Sequence, residues 1–208
     1  MSRGLPEYHR RIADQNRTAV LAAATDLFLE LGYDQTSLAR VARGAGVSKA
    51  TLFKQFPTKA SLFEATVLAV EQPSSRVLTV PASGDLRAGL LALGWHYAEL
   101  LTQPRTVDLM RLLIAEAPRF PELRERTFDF GTLPTLDALN RYLRAELDAG
   151  SVTANAAEFA AAQLLGMIAS AIFWPRLVHA GWAIDEAESR RSVDEAVQTI
   201  VARYGISP

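Results

Sequence analysis

The stretch from Thr36 to Lys59, TSLARVARGAGVSKATLFKQFPTK, constrains the fold of this 208-residue chain more than any other. It predicts two short helices joined by a tight turn. Apolar residues recur at helical spacing through its first half, at Leu38, Val41, Ala42 and Ala45. Thr36 is placed to cap this helix, because a short side-chain oxygen can accept a bond from a free backbone N–H. The sequence Gly44-Ala45-Gly46 then predicts the stop, since glycine readily adopts positive φ at a helix C-terminus.

The second predicted helix begins after Ser48, its expected cap, and runs from Lys49 to about Phe56. Leu52 and Phe56 are four residues apart and therefore share one face, which we expect to point inward. The open side then carries Lys49, Ala50, Thr51, Phe53, Lys54 and Gln55. A helix–turn–helix of this shape places its second helix in the DNA major groove.

The segment AGVSKATLFKQF followed by PTK resembles the signature of the tetracycline-repressor (TetR) family of bacterial transcriptional regulators. The preceding LFLELGY, QTS and VARGAGVS segments fit the same pattern, and the resemblance covers roughly residues 17–70. It implies an all-α chain of about nine helices. Residues 1–71 would form a three-helix helix–turn–helix DNA-binding domain, and residues 72–208 a helical ligand-binding and dimerisation domain.

The resemblance also implies roles for individual residues. Thr36 and Ser37 would hold phosphate, and Lys59 would fix another phosphate at the start of helix 4. Lys49 and Ala50 would face base edges, where a lysine can bond guanine acceptors and an alanine can contact a thymine methyl. Thr51 would contact the DNA backbone or a base.

Three positions in the second helix depart from the family pattern. Phe53 stands where the family usually has tyrosine, so the hydroxyl that would bond phosphate is missing and only the ring can pack on sugar. Lys54 and Gln55 replace the usual histidine and tyrosine, and Lys54 offers an additional phosphate contact.

Charge is distributed unevenly along the chain. The formal net charge is −1, but residues 1–59 hold nine Lys or Arg and five Asp or Glu, which leaves the remainder at −5. A basic N-terminal part is what attraction to phosphate requires. The chain has no cysteine, no pattern typical of a signal peptide and no unbroken run of roughly 18 apolar residues, so we expect a cytoplasmic protein without a membrane partner.

The remaining pattern is helical throughout. Residues 1–13, with three arginines, are predicted to form a flexible arm, and helix 1 is predicted over residues 14–31, ending at Gly32. Helix 4 follows over about residues 58–71, and the Pro- and Ser-rich residues 72–83 are the expected domain junction. Further apolar-striped helices are predicted over 85–102, 106–117, 122–149 and 155–174, and within 185–204.

Aromatic and adaptable residues in the second domain are candidates for lining an apolar ligand pocket: Trp95, His96, Tyr97, Met110, Phe128 and Phe173. Trp95 and Tyr97 are about 200° apart around a helix, so we expect only one of them to face a cavity. Packing in the core is the alternative for each of these residues. No histidine spacing fits a metal site and no catalytic set of residues is present, so we predict neither an enzyme nor a cofactor.

Small residues recur four apart at Ala162, Gly166 and Ser170, which would let another helix approach closely. The family resemblance implies that this helix forms a homodimer interface, with packing inside one chain as the alternative.

Together these features predict a homodimeric regulator, a repressor that a small apolar or amphipathic effector releases from a near-palindromic DNA operator. One alternative is an all-helical enzyme or ligand carrier whose N-terminal helices do not bind DNA. Another is a regulator that responds to a partner protein.

Overall fold

The computed structural model describes residues 4–70, 78–122, 133–179 and 181–206, and the regular structure in these ranges is helical. The helices are α1 Gly4–Gln35, α2 Leu38–Gly44, α3 Lys49–Gln55, α4 Lys59–Val70, α5 Leu86–Thr102, α6 Pro104–Glu116, α7 Leu133–Asp148, α8 Ala156–Ile172, α9 Trp174–Val178 and α10 Glu186–Tyr204. An isolated antiparallel bridge joins Val152 to Gly205. The predicted all-α class is confirmed. The described ranges hold ten helices, one more than the predicted nine, because the predicted helix over 155–174 is interrupted just before Pro175.

The chain divides into two compact units. The described residues of the head unit are 4–70 and 108–122, and those of the body unit are 78–107, 133–179 and 181–206. The sequence placed all of 72–208 in one domain. The structure assigns 108–122 to the head because Leu109 and Leu113, four apart on α6, are buried in the same apolar cluster as Phe28 and Phe63.

Helix α1 is longer than predicted. It begins at Gly4, so residues 4–13 are helical where the sequence indicated an arm. Near its other end, Gly32 has φ 79° and ψ 171°, which interrupts the helix at the predicted position. The head core lies beside this interruption, where the rings of Phe28, Tyr33 and Phe63 meet with centroid distances of 5.0–5.9 Å.

The turn between α2 and α3 is a Schellman motif. Gly46 has φ 66°, its N–H donates to Arg43 O at 3.2 Å, and the N–H of Val47 donates to Ala42 O at 3.0 Å. No atom lies within 4 Å of the position that a Cβ on Gly46 would occupy. The backbone conformation alone therefore requires glycine here, and the predicted stop is confirmed.

In the body unit, α8 packs against α5, α7 and α10, and α5 also packs against α7 and α10. Gly89 lets α5 and α7 approach closely, because a Cβ there would overlap the phenol of Tyr142. The Tyr142 hydroxyl donates to Asp85 O at 2.7 Å. Burial, more than the neighbouring Glu146 carboxylate, raises the pKa of this phenol, so it remains a donor.

Across the described residues, no helix combines the length and apolarity needed to traverse a lipid bilayer.

Candidate nucleic-acid interface

Helix α3 is fixed in rotation by two buried side chains. Leu52 is fully buried and Phe56 is 2% exposed, both within the head cluster. The opposite side of the helix leaves Lys49, Ala50 and Lys54 exposed, together with Phe53 at 47%. Four of the predicted contact residues thus lie on one open face of α3.

Two further predicted contacts in this region belong to the helix cap. Ser48 Oγ accepts from the N–H of Thr51 at 3.0 Å, which confirms the predicted cap. The two hydroxyl oxygens of Ser48 and Thr51 are also 2.8 Å apart. Both residues therefore hold the first turn of α3 in place.

Gln55 does not lie on the open face. Its Oε1 is buried and has no hydrogen-bond partner among the described residues. Gln55 is half-buried and lies about 100° around the helix from Lys54, beyond the exposed arc from Lys49 to Lys54. The contact of Gln55 with DNA stays a prediction, which the half-buried position of its side chain does not favour.

The beginning of α2 also differs from the prediction. Ser37, not Thr36, is the cap, and its side chain accepts from the N–H of Arg40 at 3.2 Å. Thr36 is 2% exposed, and its hydroxyl is 2.8 Å from Gly32 O and 3.0 Å from Leu27 O. Its hydroxyl therefore holds the end of α1 and is not available to phosphate, whereas Ser37 is exposed.

Lys59 is also engaged within the head. Its Nζ donates to Tyr33 O at 2.8 Å and to Asp34 O at 3.1 Å. The same ammonium lies 4.3 Å from the centroid of the Tyr33 ring. The predicted role in fixing phosphate does not match these contacts, which satisfy carbonyls beyond the interruption of α1 and neutralise partial negative charge there.

Two exposed cations on α2 were not among the predicted site residues. Arg40 and Arg43 are both exposed, and Arg43 lies in the last turn of the helix. Their charge was visible in the sequence, and the apolar spacing of Leu38, Val41 and Ala42 places both arginines on the opposite side of α2, so the sequence pattern could have identified them.

The body unit contains a groove of about 780 Å³ between α5, the start of α10 and residues 78–79. Trp95 and His96 line it, as do Glu99, Glu186 and Arg190. The guanidinium carbon of Arg190 lies 5.2 Å from the centroid of the Trp95 ring, and Arg190 Nη2 is 3.0 Å from Glu186 Oε1.

The other predicted pocket residues lie elsewhere. Tyr97 is 3% exposed in the body core, on the side of α5 away from Trp95, and Phe173 is buried at the end of α8. Met110 packs against the core of the head unit, which excludes it from the groove. Phe128 lies outside the described residues. Tyr97, Phe173 and Met110 thus fit the alternative of core packing, which depends on long-range contacts that aromatic or sulfur character does not reveal.

The small residues of α8 are on its open side. Ala162, Gly166 and Ser170 are exposed, and among the described residues nothing beyond the backbone of α8 itself lies within 4 Å of a Cβ built on Gly166. Large exposed side chains flank this stripe, Phe159 at 48% three residues before Ala162 and Trp174 at 57% four residues after Ser170.

In the described part of the chain, no group of three or more histidine, cysteine, aspartate or glutamate side chains is arranged to hold a metal ion.

Two capped short helices around a Schellman turn, with a lysine-bearing face on the second, define a helix–turn–helix DNA-binding regulator. Residues 20–66 match the bacterial regulatory proteins of the tetR family, and residues 88–206 match the C-terminal domain of AefR-like transcriptional repressors. The chain belongs to the TetR family of transcriptional regulators.

Individual relatives agree with this assignment. An uncharacterised HTH-type transcriptional regulator of Mycobacterium bovis is 35% identical over 111 residues, which are 52% of this chain and 51% of that protein. The match thus spans about half the length of this curated relative. These relatives are regulators, not enzymes.

Two solved structures are similar over nearly the whole chain. A TetR-family regulator from Mesorhizobium loti gives a TM-score of 0.71 at 26% identity and covers 93% of this chain and 98% of its own. The flavonoid-responsive regulator FrrA gives 0.74 at 26% identity, over 94% of this chain and 100% of its own.

The contacts of Lys59 predict that it stabilises the head. We expect Lys59→Ala to lower the free energy of unfolding by about 1–3 kcal/mol, because two carbonyls lose a charged donor. Lys54→Ala, on the open face of α3, should change it by less than about 0.5 kcal/mol. Urea unfolding followed by far-UV circular dichroism measures both. Unchanged stability of Lys59→Ala would contradict the structural role.

Proposed function

We propose that this protein is a one-component repressor that binds a near-palindromic DNA operator as a homodimer and leaves it when a small molecule binds the body unit. The observation that carries the proposal is the open face of α3, where Lys49 and Lys54 are exposed while Leu52 and Phe56 are buried. Repression is favoured by the match to the C-terminal domain of AefR-like repressors.

Charge supports DNA as the partner of the head. With nine basic and five acidic side chains, residues 1–59 carry a formal charge of +4, and the rest of the chain carries −5. Exposed cations in the helix–turn–helix can neutralise phosphates, which releases counterions and makes the affinity strongly dependent on salt. Two heads related by a two-fold axis would enter successive major grooves about 34–36 Å apart.

The open side of α8 supports homodimerisation. Its small residues permit close approach of a second α8, and the exposed Phe159 and Trp174 at either end offer apolar area to bury. A second chain is the occupant we propose, because a two-fold operator requires a two-fold protein.

The groove beside Trp95 is the site we propose for the effector. The Arg190 guanidinium, a flat group, lies over the Trp95 ring at 5.2 Å from its centroid, which supports a planar ligand at this position. A planar aromatic compound with an acidic group could take that place and pair with the displaced guanidinium. Such a ligand changes operator affinity only to the extent that it binds the operator-bound and the operator-free conformations with different affinity. The resulting change is typically about 5- to 150-fold.

The first test concerns base reading. We expect Lys49→Ala to weaken operator binding and to relax the preference for one base pair in each half-site, because its side chain starts the exposed face of α3. Lys54→Ala should weaken binding to all DNA sequences about equally. It should also reduce the slope of log affinity against log salt concentration by about one for each phosphate that is no longer neutralised. Fluorescence anisotropy with DNA from upstream of the gene, at about 0.1 M and 0.2 M salt, measures both. Binding that is unaffected by either change would refute the proposed interface.

The second test concerns the dimer. We expect Gly166→Arg to produce a monomer in analytical ultracentrifugation and to lose most operator affinity, because a charged side chain would stand in the closest part of the interface. Since no other described residue approaches a Cβ at this position within 4 Å, the monomer should remain folded. Ala149→Arg, at an exposed position after α7, is the matched control and should remain dimeric.

The third test concerns the effector. We would screen flavonoids and aromatic carboxylic acids for compounds that release the operator, flavonoids being included because FrrA is flavonoid-responsive. For an active compound, Trp95→Ala should weaken the response at least about tenfold while leaving operator affinity unchanged without ligand. Trp182→Ala is the control, since this residue is not part of the groove lining. An equal response from both variants would exclude the groove.

A further inference from the structure

We propose that Ala50 and Phe53 form an apolar reading surface for the C5-methyl groups of thymine, so that each operator half-site presents a thymine methyl to Phe53. This inference rests on the proposed binding of DNA by α3. It assigns a sequence-determining role to the residue at which this chain departs from the family pattern.

The order of side chains around α3 is the first support. At 3.6 residues per turn, the four exposed residues follow one another as Lys49, Phe53, Ala50 and Lys54 across about 140°. The two apolar residues occupy the middle of this face, about 60° apart, and a lysine lies at each edge. In a helix that enters a groove, the middle of the face meets base edges, while a long cationic side chain beside it can reach a guanine, as proposed for Lys49, or a phosphate, as proposed for Lys54.

The exposure of Phe53 is the second support. The ring is 47% exposed, although the core beneath α3 buries Leu52 and Phe56 almost completely. Phe53 therefore lies outside the part of α3 that anchors it in the head. An exposed aromatic ring between two lysines suits an anionic partner that carries an apolar group at its surface. DNA is such a partner, because the thymine methyl group is exposed in its major groove.

The chemistry of the ring is the third support. Phe53 has no hydroxyl and cannot donate to a phosphate oxygen, so its contribution to binding must come from apolar contact. Ala50, one turn earlier, is small enough to let the bases approach. The pair thus favours thymine at the centre of each half-site.

The experiment compares two forms of one duplex. Full-length protein is used to select a duplex from a random library, and the selected sequence is synthesised with thymidine or with deoxyuridine at every thymine position. Deoxyuridine keeps the base pairing and lacks only the methyl group. We expect removal of one buried methyl group from each half-site to raise Kd about fourfold per half-site, or about 16-fold for the dimer, at constant salt.

The variants separate methyl reading from other roles of the ring. Phe53→Ala should weaken binding to the thymine duplex and bind both duplexes within about twofold of each other. Phe53→Tyr, which keeps the ring, should retain the preference for the thymine duplex. Lys54→Ala should weaken both duplexes equally and leave their ratio unchanged. Thermal unfolding verifies that each variant is folded.

Several outcomes would overturn the inference. Equal affinity of the wild-type protein for the two duplexes would show that methyl groups are not read. If Phe53→Ala weakened binding to both duplexes by the same factor, the ring would contact sugar and not a methyl group. If Phe53→Tyr bound both duplexes more tightly and no longer preferred the thymine duplex, the ring would lie beside phosphate. If the selection enriches no sequence, the proposed operator binding fails as well. This outcome differs from a failure of methyl reading alone, in which an operator is enriched but its two duplex forms bind equally.

Discussion

The burial of Leu52 and Phe56 is the interaction on which the proposed DNA interface depends. Together they are worth about 3–6 kcal/mol relative to exposure, more than the about 1 kcal/mol of a surface ion pair. Rotation of α3 to improve a contact at its surface would expose them, so the core and not the ligand sets the orientation of the helix. Lys49, Ala50, Phe53 and Lys54 are presented outward as a consequence.

The polar groups nearest this core make hydrogen bonds within the head unit. The Thr36 hydroxyl and the Lys59 ammonium both contact backbone oxygens near the interruption at Gly32, where the helical hydrogen-bond pattern ends. A residue type that can hold phosphate is equally suited to hold a carbonyl, and a nearby unsatisfied carbonyl has no entropic cost of association to overcome. The proposed contact surface is therefore smaller than the sequence indicated and lies more on α3 itself.

In the body unit, α5 contributes side chains both to the core and to the proposed effector site. Tyr97 faces the core, and Trp95 and His96 face the groove. Helices α7, α8 and α10 pack against α5, and the half-buried Trp95 ring lies at the edge of this packing, where Arg190 at the start of α10 covers it. The small residues of α8 likewise leave an exposed stripe that no other described residue covers at Gly166.

The sequence by itself determined what depends on neighbours along the chain: the all-helical class, the Ser48 cap, the stop at Gly46 and the shared inward face of Leu52 and Phe56. These follow from spacings of three to five residues and from the conformational freedom of glycine. Only the tertiary structure decided the roles of Lys59, which contacts residues 25 and 26 positions away, and of Met110 on α6, which joined the head. Such contacts depend on which surfaces meet after folding, and many residues of the same type along a chain can satisfy the same local pattern.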